Sequence, residues 1–170
     1  DGKAAYSADG AAWTETTTGV SAILARVRYA NGLFVAVGNA GSIITSPDGI
    51  RWTNRSVEVV GDLNIYYLGL AYHGGSWHAA DVNEVRSSPD GLVWTKTAGN
   101  PALGAQLGVG FGGLLGFGTF GGAAAKLRIA EQPGEWSSSV TFGLAGEVPQ
   151  ALAEGQGSVV VVGYDNGGAG

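Results

Sequence analysis

A short motif that ends in tryptophan recurs along this chain and constrains its architecture more than any other feature. The motif reads Ser-x-Asp-Gly-x-x-Trp-Thr. Its tryptophans follow one another at intervals of 39, 42 and 42 residues. A fixed period of this size indicates one supersecondary unit copied along the chain. Three copies match the motif and a fourth keeps only the tryptophan and the length: Ser7–Thr14, Ser46–Thr53, Ser88–Thr95 and Ala130–Ser137.

The motif has the composition of a tight turn between two strands. Aspartate accepts hydrogen bonds from backbone N–H groups two residues on, and serine does so more weakly. Proline fixes φ, glycine tolerates positive φ, and the tryptophan is expected to begin the next strand and bury its ring between units. Metal binding or catalysis by the aspartates is the alternative, but their neighbours are turn formers. The predicted structural residues are Ser7, Asp9, Trp13, Ser46, Asp48, Trp52, Ser88, Asp90, Trp94 and Trp136.

Short apolar runs between the motifs predict further strands. Hairpin signals such as Asn31-Gly32 and His73-Gly74-Gly75 separate these runs. Four short strands in about 42 residues are typical of a propeller blade. The strands are predicted at 22–29, 33–38, 65–72, 76–80, 107–111, 114–118, 125–130, 151–154 and 159–162.

The sequence therefore predicts an all-β fold, a β-propeller of four-stranded antiparallel blades in a single domain over residues 1–170. Repeat units are expected at about 20–58, 59–100 and 101–141. Residues 1–19 supply the last two strands of a unit and residues 142–170 the first two. We expect these ends to form one composite blade that closes a four-bladed ring and removes exposed sheet edges. Small inner-strand residues fit a narrow ring: Ala25, Gly69 and Gly108.

Composition excludes several classes of protein. Hydrophobic residues make up 45% of the chain, which disfavours disorder although 31 residues are glycine. The net charge is −5 with nine Lys and Arg and no basic stripe, so no nucleic-acid partner is expected. Cysteine is absent, which excludes disulfides and thiolate metal sites. The longest apolar run, Leu33–Val37, is too short for membrane insertion. Methionine is also absent, which indicates a processed product or a piece of a longer chain, and a fragment of a larger ring is therefore the alternative.

The motif, preceded by Gly-Leu-Phe-Val-Ala-Val-Gly-Asn-Ala-Gly at residues 32–41, resembles the Asp-box, or bacterial neuraminidase (BNR), repeat. It is most similar to the variant in exo-α-sialidase-like and photosystem II assembly-factor-like propellers of bacteria and phages. The resemblance covers nearly the whole chain. It implies a fold rather than an activity, because the box in this family is a structural turn away from the active site. One residue fewer separates Asp from Trp here than in the commonest sialidase box, which argues against the enzyme branch.

The resemblance also implies what a sialidase site would need: three arginines on a carboxylate, a Tyr/Glu nucleophile pair and an Asp acid. Arg86 and Arg128 occupy the same repeat position, which favours repeated edge-strand residues over a clamp. No facing carboxylate pair and no Ser-His-Asp set is evident, and His73 and His78 have no cysteine nearby. We predict no enzymatic activity, no catalytic residues, no metal and no cofactor. The arginines are Arg26, Arg28, Arg51, Arg55, Arg86 and Arg128.

A binding surface remains. In a four-stranded blade, the strand two-to-three and blade-to-blade connections share the face opposite the turn motifs. Aromatic side chains beside Asp and Asn on that face suit sugar rings, and ordinary polar loop residues are the alternative. The candidate ligand-binding residues are Asn39, Asp81, Asn83, Phe120, Tyr164, Asp165 and Asn166.

Together these observations favour a non-catalytic interaction module that binds a glycan or a protein surface. The resemblance to phage and bacterial repeats places it outside the cell or in a larger assembly, as a tail or capsid decoration of a virion. One alternative is a sialidase-like glycoside hydrolase or a fragment of one. The other is an assembly factor for a membrane protein complex, which should show an arginine patch that this acidic chain barely supplies.

Overall fold

The computed structural model describes residues 2–56, 65–82, 84–97, 106–118, 124–130, 140–145 and 147–165. These residues form sixteen β-strands and no helix, and neighbouring strands pair antiparallel. The predicted all-β class is confirmed. Across these ranges, no helical segment has the length and apolar character that crossing a lipid bilayer requires.

Three sheets of the described chain have four strands each, and in each the strands pair in chain order. The first sheet contains β3 (Leu24–Ala30), β4 (Leu33–Gly38), β5 (Ile43–Ser46) and β6 (Thr53–Asn54). The second contains β7 (Gly69–His73), β8 (Ser76–Ala80), β9 (Val85–Ser88) and β10 (Thr95–Lys96). The third contains β11 (Gln106–Gly110), β12 (Gly113–Gly118), β13 (Ala124–Ala130) and β14 (Val140–Ala145).

The two ends of the chain form two separate two-stranded sheets. The first is β1 (Lys3–Tyr6) with β2 (Thr14–Thr17), and the second is β15 (Glu147–Gly155) with β16 (Ser158–Asp165). The expected fourth four-stranded sheet is therefore not formed among the described residues. The two hairpins have different neighbours among the described residues. The Thr16 hydroxyl donates to the Ile50 carbonyl beside the first sheet, whereas β15 packs on β11 and β12.

Several strand boundaries differ from the prediction, and for β7 a contact between sheets is the reason. The strands 33–38 and 76–80 have the predicted bounds. The strand predicted at 65–72 begins only at Gly69, because the residues before it bond to the first sheet. The Tyr67 N–H donates to the Gly38 carbonyl, and the Gly41 N–H donates to the Ile65 carbonyl. Residues 65–67 thus run across the end of the first sheet. Each tryptophan of the described motifs precedes the next strand instead of beginning it.

The hydrophobic core lies between successive four-stranded sheets. Val35, Val37 and Ile43 of the first sheet pack against Leu70 and Trp77 of the second in one buried cluster, which also includes Trp94. A second cluster joins Ala71, Ala80 and Val85 to Leu107 and Leu114 of the third sheet. The second sheet therefore packs with both faces, one toward the first sheet and one toward the third.

The first strands of the sheets lie close to one another. β7 contacts both β3 and β11, and β11 contacts β15. At Gly108 in β11, an added Cβ would lie 2.4 Å from Leu152 Cδ1 of β15. Gly108 is one of the small residues expected in the inner strands, and the absence of a side chain there allows β11 and β15 to approach closely. We call β3, β7, β11 and β15 the inner strands.

Candidate functional site

The described copies of the turn motif share one hydrogen-bond pattern. In the second copy, the Gly49 N–H donates to Ser46 Oγ at 2.8 Å, and the Ile50 and Arg51 N–H groups donate to Asp48 Oδ1 at 2.9 Å. The Trp52 indole N–H donates to the Gly49 carbonyl at 3.1 Å. The corresponding bonds occur at Ser7–Trp13 and Ser88–Trp94. Trp136 lies outside the described residues.

These bonds make the aspartates structural groups. Donation by the N–H groups of Ala12, Arg51 and Leu92 is the main cause that lowers the pKa values of Asp9, Asp48 and Asp90 respectively. A carboxylate stabilised in this way stays ionised to low pH, as a turn acceptor should, and is poorly suited to donate a proton to a substrate. Within the described chain no group of three or more His, Asp and Glu residues could hold a metal ion.

Of the seven loop residues predicted to bind a ligand, the structure describes the side chains of Asn39, Asp81 and Tyr164. Asp81 is buried, and its Oδ1 accepts the Glu84 N–H at 2.7 Å, so its carboxylate shapes the turn between β8 and β9 instead of facing solvent. Asn39 is half-buried, and its N–H donates to the Ile23 carbonyl. Tyr164 is exposed on β16. Asp165 ends β16, and its side chain is not described; Asn83, Phe120 and Asn166 lie outside the described residues.

The structure contains a buried polar cluster that the sequence did not reveal. The Tyr67 hydroxyl donates to Glu84 Oε1 at 2.8 Å, Arg86 pairs with the same carboxylate, and Lys96 Nζ lies 3.2 Å from Glu84 Oε2. Burial and the adjacent Glu84 carboxylate raise the pKa of Tyr67. Burial opposes ionisation of Glu84, but hydrogen bonds from Arg86, Tyr67 and Lys96 outweigh it and lower its pKa.

This Tyr67–Glu84 pair is not suited to nucleophilic catalysis. Tyr67 has no exposed surface, and its raised pKa disfavours the phenolate. The serine and histidine that meet in the second sheet are similarly enclosed. His78 is buried with Nδ1 2.9 Å from Ser87 Oγ and Nε2 3.2 Å from the His73 carbonyl, and burial lowers its pKa. The Tyr67–Glu84 contact thus joins residues 65–67 to the turn before β9, and the His78–Ser87 contact joins β8 to β9.

The inner strands meet around a solvent-open cavity. It has a volume of about 340 Å³ and is lined by side chains from β3, β7, β11, β12 and β15. Leu70, Leu107, Phe117 and Leu152 are among its apolar lining residues. We call it the inner-strand cavity. Its polar lining residues, which come from three different sheets, are Arg26, Arg28, Gln106 and Gln150.

The described arginines have several kinds of partner. Arg26 Nη2 donates to Gln106 Oε1 at 3.1 Å, and Arg26 Nη1 donates to the Ala25 carbonyl at 2.9 Å. Elsewhere Arg51 pairs with Asp48, Arg86 with Glu84, and Arg55 donates to Thr45. A clamp of three arginines is thus not assembled in the described part of the chain, but two arginines share one cavity.

A larger groove lies between the first hairpin and the first four-stranded sheet. Its volume is about 730 Å³, and its lining is mainly apolar and aromatic. Tyr6 and Trp13 of the hairpin region and Phe34 and Trp52 of the sheet are among the lining residues. Trp13 is 65% exposed, whereas its counterpart Trp94 is 6% exposed because it packs into the core shared by the first two sheets.

Comparison with known proteins gives a fold-level likeness alone. No protein-family model matches the chain, and no curated protein matches it. Among solved structures, the chain is similar to one described as "AfRom2 CNH domain", a β-propeller, with 12% sequence identity and a TM-score of 0.47. The match covers 91% of this chain and 53% of that one, so this chain spans about half the length of that protein. A likeness at this identity carries no functional information.

Proposed function

We propose that this chain is a non-catalytic binding module, built as a closed four-bladed β-propeller, that contacts a glycan or a protein surface. The observation that carries the proposal is the inner-strand cavity. Polar side chains from three sheets converge there over an apolar floor, as expected of a ligand site. Tyr67, Glu84 and His78 are buried and lie outside the cavity lining, which supports binding without catalysis.

The two terminal hairpins have complementary roles in the proposed ring. β15 and β16 correspond to the first two strands of a unit, because β15 packs on β11 as β7 packs on β3. β1 and β2 correspond to the last two strands, because the turn motif joins them as it joins β5 to β6. Pairing of β16 with β1 would complete a fourth four-stranded sheet.

Exposed apolar residues support this closure. Val160 and Val162 of β16 are 60% and 58% exposed. By hairpin register, these valines correspond to Val35 and Val37 of β4, which are fully buried against the second sheet. In a closed ring they would pack into the groove beside Phe34 and Trp52. Burial of one such side chain contributes about 1.5–3 kcal/mol. We therefore assign the groove to ring closure and the inner-strand cavity to the ligand.

The proposed setting, outside a cell or on a phage particle, rests on the resemblance of the turn motif to repeats of bacterial and phage proteins. The binding proposal is tested with a glycan array and the purified chain at micromolar concentration. We expect saturable binding to one class of glycan that is weakened by Gln150→Ala in the cavity. The control is Gln156→Ala, an exposed glutamine in the β15–β16 hairpin outside the cavity lining. Absence of binding across the array would contradict the glycan form of the proposal, and release of a sugar product would contradict the non-catalytic form.

A further inference from the structure

We infer that the tip of the β11–β12 hairpin is a second interaction surface, at which a basic segment of another protein contacts Phe111 and Glu154. Neither residue lines the inner-strand cavity, so the inference goes beyond the proposed function. Its basis is a comparison of equivalent positions in the repeated hairpins. At this tip two residues depart from the repeat, both are exposed, and they contact each other.

The first departure is an aromatic side chain where the backbone disfavours one. Each inner strand is joined to the next strand by a two-residue turn whose second residue is glycine. The first residue of each turn has positive φ, which is 52° at Phe111. Asparagine and glycine suit this conformation, whereas a bulky side chain is strained in it. The first residues of the four turns are Asn31, Gly74, Phe111 and Gln156.

The second departure is a carboxylate where the other inner strands carry an uncharged side chain. Glu154 of β15 precedes its turn by two residues. Its Oε1 accepts the Phe111 N–H at 2.9 Å, so it holds the strained turn from the neighbouring hairpin. The two departures therefore form one feature of the surface. The residues at the position of Glu154 in the other inner strands are Tyr29, Tyr72 and Val109.

Packing within the chain does not explain these residues. Phe111 is 56% exposed, and Glu154 is also exposed. Closing the ring would not cover this position, because Asn31 and Gly74 are exposed although each belongs to a sheet that packs against a four-stranded neighbour. Backbone strain costs stability and is concentrated at functional sites. A contact between Phe111 and another molecule would offset that cost.

Shape favours a protein over a sugar as the partner. Sites for small ligands are concave, whereas Phe111 lies at a hairpin tip among glycines that cannot enclose a sugar ring. An exposed aromatic side chain of this kind is typical of the residues that dominate protein–protein contacts. The turn is also pre-formed, which lowers the entropy lost on binding. The glycines are Gly110, Gly112 and Gly113.

Charge favours a basic segment of that protein. Glu154 is the one charged residue in 110–113 and 154–158, and the whole chain has a net charge of −5. No ion pair of the described chain involves Glu154. An arginine can lie over the face of a phenyl ring and bind a carboxylate beside it. We therefore expect the partner segment to carry an arginine next to an apolar residue.

The test selects peptides from a library of random dodecapeptides displayed on filamentous phage. The library is first depleted on the Phe111→Asn variant and then selected on the unaltered protein. We expect the enriched peptides to contain arginine next to an apolar residue. By fluorescence anisotropy, Phe111→Asn should weaken their binding about tenfold or more. Glu154→Gln keeps an acceptor for the Phe111 N–H, so it should weaken binding less and reduce its dependence on salt.

Thermal unfolding separates a binding role for Phe111 from a structural one. Phe111→Asn should leave the melting temperature unchanged or raise it, because asparagine tolerates positive φ. The reciprocal change Asn31→Phe should lower it, because the equivalent turn then carries the strain. Val93→Ala removes an exposed apolar side chain from the Ser88–Thr95 motif and should leave the peptide affinity within about twofold.

The possible results discriminate between the roles of this tip. A lower melting temperature for Phe111→Asn would show that the ring packs within the protein and would overturn the inference. Failure to enrich any peptide after depletion, or enrichment of acidic peptides, would overturn the basic partner. Loss of glycan binding in Phe111→Asn would assign the tip to a sugar and overturn the protein partner. The proposed function is tested separately, because Gln150→Ala in the inner-strand cavity should leave peptide binding unchanged.

Discussion

At the scale of single residues, Asp90 shows how one carboxylate can specify a turn. Its Oδ1 accepts the Ser88 hydroxyl at 3.1 Å and the Leu92 N–H at 2.8 Å, and the Ser88 hydroxyl oxygen in turn accepts the Gly91 N–H at 2.8 Å. Backbone N–H groups that no strand satisfies thus find acceptors within the motif. The same bonds favour the ionised carboxylate and lower the pKa of Asp90.

We expect Asp90→Asn to lower the melting temperature by several degrees at pH 7 and to have a smaller effect below about pH 4. The folded-state pKa of Asp90 lies below 3.8, its ordinary value, so its charge stabilises the fold above that pH and this contribution is lost as the pH falls through the folded pKa. Thermal unfolding of both proteins between pH 2.5 and 7 measures the difference.

Glu15→Gln is the matched control, because Glu15 is an exposed carboxylate whose ion pair with Lys3 lies at the surface. Its melting temperature should differ little from that of the unaltered protein at every pH. A constant penalty for Asp90→Asn across this pH range would show that the shape of the side chain matters and its charge does not.

At the scale of elements, the inner strands approach one another where their side chains are small. Gly108 of β11 lies against Leu152 of β15, and Gly110 lies against Val159 of β16. This packing connects the third sheet to the last hairpin. It also forms one side of the inner-strand cavity, because Leu107 and Leu152 both line it. The geometry of the proposed ligand site therefore depends on how closely β11 and β15 pack.

We predict that Gly108→Ala destabilises the protein by about 1–3 kcal/mol, because the added Cβ would lie 2.4 Å from Leu152 Cδ1 and force the Leu152 side chain or its strand to shift. Leu152→Ala in the same background should recover part of that loss, and a double-mutant cycle in urea would measure the coupling. Gly155→Ala is the control, since nothing lies within 4 Å of its added Cβ. Equal penalties at the two glycines would contradict close packing of β11 on β15.

At the scale of the whole molecule, each end of the chain forms a separate two-stranded sheet. The apolar face of β16 and the ring of Trp13 are exposed. The equivalent residues in the four-stranded sheets, Val35 and Trp94 respectively, are buried. Pairing of β16 with β1 would cover them and join the chain ends, so that local unfolding at one end would require opening the ring. By analogy with the pairing of Ala36 and Ile44, the proposed closed register would pair Val161 with Ala5.

We expect the double variant Ala5→Cys/Val161→Cys to form an intramolecular disulfide on oxidation, seen as faster migration of the monomer on a non-reducing gel and a raised melting temperature. The chain contains no cysteine of its own, so no other pairing competes. Ala5→Cys/Val160→Cys is the control, because adjacent strand residues face opposite sides of a sheet. Dimers linked between two chains, or no disulfide in either variant, would argue against closure within one molecule.

Local sequence was sufficient for the parts of the fold that depend on near neighbours. The Asn31-Gly32 signal predicts a hairpin, and both residues have the positive φ, 49° and 75°, that such a turn requires. The bounds of β4 and β8 follow from their short apolar runs between glycines and turns. The boundary of β7 did not follow, because contacts with the first sheet draw residues 65–67 away from the second.

Most features of the candidate site could not be predicted from the local sequence. Asp81 is a charged residue in a predicted loop, so the sequence predicted that it lies at the surface. Only the packed structure shows that it is buried. The sequence signal for the inner-strand cavity was weak: Arg26 and Arg28 alternate with apolar residues on one strand, but their partner Gln106 is 80 residues away. What the sequence by itself determined is the repeated strand–turn–strand unit, because its hydrogen bonds join residues two or three positions apart. Only the tertiary structure decided which side chains meet, because the packing of one sheet against the next sets those distances.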